Sequence, residues 1–286
     1  MKLIADSGST KTEWVLIGGA APDGISSVDG KPIATQGLNP FHQSEEQILS
    51  VLHSELLPRI TECTAVGSVY FYGSGVRPEM VPKMAALLRE AFPDADRVEA
   101  HSDLLGAARA ICGRKVGIAS ILGTGANACL YDGRQIVGGT PSLGYIIGDE
   151  GSGAVLGKRF LHDLYGGLLS EEIKQSFERE TGLSLPQVIE RVYRQPLANR
   201  FLASLSPFIH AHLDDPGVAA LVRRNFVDFL RLRILPLGRP DLSVGFVGSV
   251  AYYYEVPLRE AAIELGISVG RILKSPIEGL AEYHAS

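Results

Sequence analysis

The sequence predicts an α/β protein of two related halves, each built on a mixed sheet, with a ligand-binding cleft between them. Three observations support this fold class. Two hairpin loops rich in Gly, Ser and Thr lie about one domain apart, after strands predicted at 2–5 and 116–122. Strands and helices alternate between residues 66 and 122. The 286 residues are 45% hydrophobic and 21% charged, which provides enough apolar material for a sizeable core.

The first loop joins strands predicted at 2–5 and 13–17, and it reads Asp6-Ser7-Gly8-Ser9-Thr10-Lys11-Thr12. Because Gly8 has no side chain, the backbone N–H groups of this loop can approach a polyphosphate closely. Asp6 offers a hard oxygen ligand for Mg²⁺, Lys11 offers a positive charge, and the hydroxyl residues offer donors. Taken alone, an ordinary polar hairpin turn explains the stretch equally well.

The second loop is Gly123-Thr124-Gly125-Ala126-Asn127, and it lies between two apolar runs. Asp132-Gly133 then marks a further hairpin. Two phosphate-type loops separated by about one domain predict a duplicated fold. In such a fold, one loop from each half would bind the same nucleotide.

Composition excludes several classes of protein. The net charge of −5 and the absence of a Lys/Arg cluster argue against nucleic-acid binding. No apolar run is long enough to span a membrane, and no signal peptide is recognisable, so a cytoplasmic protein is expected. Cys63, Cys112 and Cys129 lack the spacing of a metal site, and we expect buried thiols in a reducing compartment.

Asp103 follows a strand predicted at 97–101 and opens an Ala/Leu-rich helix. Aspartate at this position commonly caps a helix or complements its dipole. It could also be a general base, because ligand sites gather at the carboxyl ends of strands in open α/β sheets. Both interpretations remain open on these grounds.

A glycine-rich acidic segment runs from Gly144 to Gly153 and contains Asp149 and Glu150 between its four glycines. So many glycines are costly to order, and close approach of a ligand explains them better than packing does. The two carboxylates could accept hydrogen bonds from sugar hydroxyls or hold Mg²⁺ through water. A solvated acidic turn before a helix is the alternative.

Other features complete the predicted organisation. Ser44 and Gln47 predict a capping box, and Pro58 should end the helix that they begin. Apolar spacing predicts a helical insertion at about 154–232, including a helical pattern from Leu197 to Leu213. A strand at 242–247 leads into Gly248-Ser249, where an anion or a ribose could bind, although a plain tight turn is equally compatible. Asn39 precedes a proline and is expected to form a local turn, and its amide could also contact a polyol.

These motifs, taken in order, resemble those of the acetate and sugar kinase/Hsp70/actin superfamily. More closely, the sequence resembles the BadF/BadG/BcrA/BcrD ATPase family and, within it, the N-acetylglucosamine kinases. The most specific match is the Gly144–Gly153 segment with its Gly-Asp-Glu-Gly-Ser core. The redox activators of that family use clustered cysteines, and none are clustered here, which argues against that branch. Leu143 stands where related kinases often carry an aromatic residue, so the acyl-group pocket, and with it the exact sugar, is not specified by the resemblance.

The resemblance implies two actin-like (ribonuclease H-like) domains closing over Mg-ATP and a sugar. We place the first domain at 1–113 and the second at 114–286, with a closing helix near 275–286 that could pack back on the first. The roles implied for individual residues are as follows: catalytic base, Asp103; metal, Asp6; phosphates, Gly8, Ser9, Thr10, Lys11 and Thr124; adenosine, Gly248 and Ser249; sugar, Asn39, Asn127, Gly144 and Asp149.

The expected activity is therefore phosphoryl transfer from ATP, with Mg²⁺, to an amino sugar, with N-acetylglucosamine at its 6-hydroxyl as the first choice. N-acetylmuramic acid and glucosamine are alternative acceptors. An ATPase coupled to a partner protein and a non-catalytic sugar sensor are alternatives of a different class. The expected partner is a small-molecule amino sugar, without nucleic acid or membrane, and a homodimer remains open.

Overall fold

The computed structural model describes residues 1–8, 10–18, 25–26, 32–60 and 66–285, and of 25–26 only the backbone. The chain divides into two compact units. Unit 1 comprises Met1–Val116, Asp132–Ile136 and the segment from Ser275 onward. Unit 2 comprises Gly117–Tyr131 and Val137–Lys274. Each unit therefore draws on separated parts of the sequence.

Unit 1 contains a six-stranded mixed sheet in the order β3-β2-β1-β5-β6, with β4 also paired to β2. Its strands are β1 Lys2–Ser7, β2 Lys11–Ile17, β3 Ile25–Ser26, β4 Ile33–Gln36, β5 Ser68–Gly73 and β6 Arg97–Ser102. β1 and β2 form the predicted antiparallel hairpin, whereas β1, β5 and β6 are parallel. The predicted hairpin and mixed α/β sheet are confirmed.

The hairpin is anchored by apolar residues that the sheet buries. Leu3, Ile4 and Trp14 are fully buried, and the Trp14 indole N–H donates to Thr35 Oγ1 on β4 at 3.0 Å. Burying an aromatic ring of this size while satisfying its one polar atom is a large stabilising contribution. The phosphate-type loop between β1 and β2 therefore projects from a rigid base.

One predicted helix boundary in unit 1 is wrong. Ser44 and Gln47 form the predicted capping box before α1 (Glu45–Val51). The helix does not end at Pro58 but continues through a wide turn at Leu52–Leu56 into α2 (Leu57–Ile60). In that turn the Leu57 N–H donates to the carbonyl of Leu52, five residues back. The widened backbone accommodates a proline ring that a regular helix would exclude.

The remaining helices of unit 1 are α3 Val81–Ala91, α4 Asp103–Cys112 and α14 Ile277–Ala285. α14 packs on α4 and on strands β1 and β2. At the contact, an added Cβ on Gly279 would lie 2.5 Å from the carbonyl oxygen of Ala110, so the two helices approach backbone to backbone. Residues close to both ends of the sequence thus pack against each other.

His284 on α14 should make the stability of unit 1 depend on pH. Its ring is 8% exposed and hydrogen-bonds the Tyr72 hydroxyl at 2.8 Å. Burial, aided by the charges of Arg109 and Lys2, lowers the pKa of His284 to about 4. As pH falls from about 6.5 towards 4, His284 binds a proton in the unfolded chain but not in the folded chain. The free energy of unfolding therefore decreases over that pH range.

We therefore expect wild type to lose on the order of 2 kcal/mol relative to His284→Gln between pH 7 and pH 4.5, measured by urea unfolding. The comparison with the variant is essential because Asp6, whose pKa is raised to about 8, contributes in the opposite direction with pH. Parallel stability curves for the two proteins would show that His284 does not titrate as described.

Unit 2 contains a five-stranded mixed sheet in the order β11-β10-β7-β8-β9. Its strands are β7 Gly117–Leu122, β8 Ala126–Tyr131, β9 Ile136–Gly139, β10 Val244–Val247 and β11 Val269–Leu273. β7 and β8 are antiparallel, and β7, β10 and β11 are parallel. Both units thus place a hairpin loop beside the carboxyl ends of parallel strands.

The helices of unit 2 enclose a core formed by Phe160, Phe177, Phe208, Phe226 and Phe229 among others. They are α5 Gly144–Ile147, α6 Gly153–Tyr165, α7 Glu171–Thr181, α8 Leu185–Tyr193, α9 Ala198–Ser204, α10 Ser206–Ala211, α11 Pro216–Phe229, α12 Ser249–Tyr253 and α13 Glu255–Glu264. The described part of the chain contains no helix with the length and apolar character needed to cross a bilayer.

Candidate functional site

In unit 1, three polar chain segments meet at the carboxyl ends of β1, β5 and β6. The register pairs Ser7 with Gly73 and Gly73 with Ser102. The Ser74 N–H donates to the carbonyl of Ser7 at 2.9 Å, which ties the second segment to the first. The phosphate-type turn, the Gly73–Gly75 turn and Asp103 therefore emerge side by side from one sheet edge.

The phosphate-type turn, the loop between β1 and β2, is stabilised at its two ends by the buried hydroxyls of Ser7 and Thr12. The hydroxyls of Ser7 and Thr12 are hydrogen-bonded at 2.7 Å, and both are fully buried. The Leu38 N–H donates to Ser7 Oγ at 3.0 Å, which anchors the neighbouring segment. Thr12, expected to offer a donor to a ligand, instead maintains the turn.

The exposed residues of the turn are the ones available to a ligand. Gly8 and Thr10 are exposed, and the Gly8 N–H donates to the carbonyl of Lys11 at 3.0 Å. Lys11 Nζ lies 2.6 Å from Glu13 Oε1, with 62% of its side chain exposed, so its charge is near the turn and free to rearrange. Ser9 lies outside the described residues.

Asp6 is partly buried near the end of β1, and two acids, Asp103 and Glu13, lie close enough to act on its charge. Burial, together with the carboxylates of Asp103 and Glu13, raises the pKa of Asp6 to about 8, while the charge of Lys11 opposes the rise. Asp6 and Asp103 are therefore close enough to repel each other when both are ionised. A cation beside Asp6 would relieve this repulsion.

Asp103 is not the helix cap that the simpler interpretation supposed. Ser102 caps α4 by accepting from the Leu105 N–H at 3.3 Å. Asp103 is the first helical residue, and its Oδ1 accepts from the Leu104 N–H at 2.8 Å. Burial raises the pKa of Asp103 against these hydrogen bonds. Its carboxylate is thus fixed in direction and made more basic.

Asn39 lies against the Gly73–Gly75 turn. Its Oδ1 accepts from the Phe41 N–H at 3.0 Å, so the side chain does form the local turn expected before a proline. An added Cβ at Gly75, where φ is +79°, would overlap the Asn39 amide. The turn after β5 and the Asn39 side chain therefore fit together only because residue 75 is glycine.

In unit 2, the second loop rests on the start of α6. The Gly153 N–H donates to the carbonyl of Gly123 at 2.8 Å, and the Ala154 N–H donates to the carbonyl of Thr124 at 3.2 Å. Asn127 on β8 accepts from the Ala128 N–H through Oδ1. Thr124 and Asn127 are both partly buried, and each presents a polar side chain near the loop.

Gly248 brings the end of β10 onto the same loop. An added Cβ at Gly248 would overlap the carbonyl oxygen of Leu122 and would lie 3.2 Å from the Gly123 nitrogen. Its φ of +121° and ψ of 157° lie in a region that only glycine occupies readily. Ser249 follows as the first, exposed residue of α12.

Asp149 is a buried acid of unit 2. It is 9% exposed, has a φ of +56°, and accepts from the Ala126 N–H. An added Cβ at Gly125 would lie 3.1 Å from its Oδ2, so the second loop wraps around the carboxylate. Burial raises the pKa of Asp149, and the charge of Arg233 lowers it in compensation.

Packing within unit 2, rather than ligand approach, accounts for three of the four glycines in the acidic segment. An added Cβ would lie 2.7 Å from Leu143 at Gly148, 2.7 Å from Phe229 at Gly151, and 3.2 Å from Ala203 at Gly153. The sequence-based interpretation of these three is therefore wrong. Gly144, with φ of +72° and no atom within 4 Å of an added Cβ, remains open to a ligand.

Two residues of this half were not identified from sequence. Asn225 is fully buried, and its Oδ1 accepts from the Gly151 N–H at 3.3 Å. Arg233 is 6% exposed and forms an ion pair with Glu150 at 3.0 Å. A charged residue inside a helical pattern of buried apolar positions was the available signal. Glu150, predicted to face sugar or metal, is engaged by this arginine.

The acids present suit Mg²⁺ better than a metal bound wholly by protein. No group of three or more His, Cys, Asp or Glu residues that could hold a metal occurs in the ranges the structure describes. Mg²⁺ commonly uses one or two carboxylates together with phosphates and water. Asp6, with Asp103 and Glu13 raising its pKa, fits that arrangement. Cys129 is buried and Cys112 partly buried, while Cys63 lies outside the described residues.

The chain is closely similar to a protein of known structure. This is a putative N-acetylglucosamine kinase from Porphyromonas gingivalis, at 46% identity over 99% of this chain and 98% of that one, with a TM-score of 0.92. No family model matches the chain, and no curated protein matches it either.

Two more distant structures show the fold alone. A putative N-acetylglucosamine kinase from Chromobacterium violaceum is 18% identical over 99% of this chain and 98% of that one, with a TM-score of 0.71. A ROK family glucokinase from Streptomyces griseus, solved with glucose and AMPPNP, is 15% identical over 99% and 97%, with a TM-score of 0.57. The α/β class and the actin-like ATPase fold of sugar kinases are confirmed.

Proposed function

Because the chain belongs to the same family as the Porphyromonas gingivalis protein, whose fold is the actin-like ATPase fold of sugar kinases, we propose that it is an ATP-dependent amino-sugar kinase. The proposed acceptor is N-acetylglucosamine, and the proposed reacting group is its 6-hydroxyl. The observation that carries the chemistry is the pair formed by Asp6 and Asp103 beside the phosphate-type turn.

Asp103 acts as the general base in this proposal. The sugar oxygen forms a bond to the γ-phosphorus, the bond from that phosphorus to the bridging oxygen of ADP breaks, and the hydroxyl proton passes to the Asp103 carboxylate. The raised pKa of Asp103 makes it a better proton acceptor, and the Leu104 N–H holds it in one orientation. Positioning of this kind, rather than covalent catalysis, is what phosphoryl transfer requires.

The turn between β1 and β2 neutralises charge on the phosphates. Gly8 allows close backbone approach, and Thr10 and Lys11 offer a hydroxyl and a positive charge. Asp6 together with the phosphates would hold Mg²⁺, which supplies further positive charge to the phosphoryl oxygens when bound. Thr124, Gly248 and Ser249 complete the proposed nucleotide contacts.

The proposed sugar contacts are Asn39, Asn127, Gly144 and Asp149. The buried Asp149 can accept hydrogen bonds from hydroxyls, and a buried acceptor discriminates against compounds that lack the matching donor. Asn39 depends on its fit against Gly75 to keep its side chain in place.

Gly75→Ala should therefore raise the KM for the sugar at least tenfold, because the added methyl group displaces the Asn39 amide. The KM for ATP should change less than threefold. The measurement is steady-state kinetics with each substrate varied in turn. Gly113→Ala is the matched control, since Gly113 also has positive φ, +60°, but has open space around it. A normal sugar KM in Gly75→Ala would remove Asn39 from the proposed site.

The test of the proposed function is ADP release with Mg²⁺ and five conditions: N-acetylglucosamine, N-acetylmuramic acid, glucosamine, glucose and no sugar. Release that depends on N-acetylglucosamine is expected, with no turnover of its 6-deoxy analogue. Dependence on another sugar of the panel would correct the acceptor. Equal release in all conditions would favour an ATPase coupled to a partner protein, and no release would favour a sugar sensor.

A further inference from the structure

Arg233 is a buried arginine that the mechanism above does not use. Its side chain is 7% exposed, and it lies in a wide helical turn, Leu230–Ile234, that follows α11. Burying a guanidinium is expensive unless its N–H groups find acceptors. Wide turns of this type inside helices are frequent at functional sites. Both features suggest a specific task for this side chain.

The guanidinium joins the two ends of one loop. Nε and Nη2 donate to Glu150 Oε2 at 3.3 and 3.0 Å. Nη1 donates to the carbonyl of Pro141 at 2.6 Å and to Thr140 Oγ1 at 3.1 Å. Thr140 and Pro141 precede α5, whereas Glu150 follows it. Arg233 therefore links the two ends of the loop at 140–150, which contains α5.

The loop needs this support because its own structure is weak. α5 spans only Gly144–Ile147, one helical turn, which is too short to be stable alone. The side chains of Leu143, Ile146 and Ile147 are 50%, 71% and 71% exposed, so they contribute little burial. Lys158 Nζ donates to the carbonyls of Tyr145 and Ile146 at 2.8 and 3.2 Å, and Tyr145 packs against the core. These contacts support α5 itself, whereas the residues on either side of α5 are joined through Arg233.

The guanidinium also lies next to Gly148, the residue that precedes Asp149. An added Cβ at Gly148 would be 2.9 Å from Arg233 Nη2. Asp149 itself has a φ of +56°, a left-handed conformation that is uncommon in non-glycine residues and more frequent in aspartate than in most others. The positive charge of Arg233 further opposes the rise that burial causes in the pKa of Asp149.

We propose that Arg233 is a positioning residue for the sugar-binding loop: by joining Thr140, Pro141 and Glu150, it holds Asp149 where it can contact the acceptor sugar. This inference rests on the proposed function, because it assigns a cause to the orientation of a proposed sugar contact. It makes Arg233 a determinant of sugar affinity without contact between Arg233 and the sugar.

The test compares Arg233→Met with Arg231→Met, a change at an exposed arginine of the same wide turn. In Arg233→Met, the KM for the sugar should rise at least tenfold, while kcat and the KM for ATP change less than threefold. The rise should be larger at lower pH, because loss of the Arg233 charge raises the pKa of Asp149 further and leaves less of its carboxylate ionised. A merely structural role would not produce this pH dependence. Arg231→Met should match wild type.

Amide hydrogen exchange provides a measurement that does not require turnover. Exchange in peptides covering 142–151 should be faster in Arg233→Met and unchanged in peptides of unit 1. If Arg233→Met fails to fold, Arg233→Lys serves instead, since it keeps the charge but loses the forked contacts, and should show fast exchange with a raised KM. Wild-type exchange in that loop, or a sugar KM within twofold of wild type, overturns the proposal.

Failure of the proposed function would be distinguishable from failure of this inference. The function fails if wild type shows no sugar-dependent ADP release. The inference fails if wild type is active and the loop or the sugar KM does not respond to loss of Arg233. The exchange experiment decides the role of Arg233 in holding the loop in either case.

Discussion

Asp103→Asn should fold normally, bind the sugar with near wild-type affinity and lose a factor of about 10² or more in kcat, the usual scale for a positioned general base. The amide keeps the size of the side chain and an oxygen for the Leu104 N–H, but it cannot accept the hydroxyl proton. The measurement pairs steady-state kinetics with calorimetric titration of the sugar.

Asp94→Asn, at an exposed acid of the same unit, is the control for Asp103→Asn and should leave kcat unchanged. Turnover of Asp103→Asn within a few-fold of wild type would exclude Asp103 as the base. A second consequence concerns Asp6, since removing one of the acids that raise its pKa should lower that pKa. Retained sugar binding with lost turnover would separate catalysis from folding.

Gly248→Ala should destabilise the protein by about 3 kcal/mol and raise the KM for ATP at least tenfold. Its backbone, with φ of +121°, is costly for alanine, and the added methyl group would overlap the carbonyl oxygen of Leu122. Relief of that overlap must move the start of the second loop, where Thr124 is a proposed phosphate contact. Urea unfolding gives the stability, and kinetics with varied ATP gives the KM.

Gly238→Ala is the matched control for Gly248→Ala. Gly238 also has positive φ, +66°, but an added Cβ there meets no atom within 4 Å. Gly238→Ala should lower the free energy of unfolding by only about 1 kcal/mol, because of backbone strain, and should leave the KM for ATP unchanged. Equal losses of unfolding free energy in the two variants would show that the packing of Gly248 on Leu122 does not contribute to stability.

Much of the fold could be predicted because local patterns and tertiary structure agree. The capping box at Ser44 and the strand–loop–strand pattern around Gly8 each specify one conformation. Pro58 was misleading because its rule assumes a regular helix, and a wide turn removes the clash. The apolar pattern from Leu197 to Leu213 predicts one continuous helix, whereas the structure divides this segment into α9 and α10. Pro207, near the start of α10, lacks the N–H that a continuous helix would use.

Candidate site residues could be selected from sequence where a motif lies within a few residues, and not where the arrangement depends on distant partners. Asp6, Asp103 and Asp149 could be selected as candidates because each follows or interrupts a recognisable strand or loop. Arg233 lies 83 residues from Glu150, and no local pattern relates the two. The glycines at 148 and 151 show the same limit, since their neighbours Arg233 and Phe229 come from a remote helix.

The position of α14 has a consequence for folding during protein synthesis. α14 packs on α4 and on the first hairpin, but the ribosome adds residues 277–285 only after the whole of unit 2 has been made. The surface of α4 and the ring of Tyr72 therefore lack their contacts with α14 while more than half of the chain is translated. Unit 2, whose segments are complete by Lys274, can finish folding first, so the nascent chain completes its second half before its first.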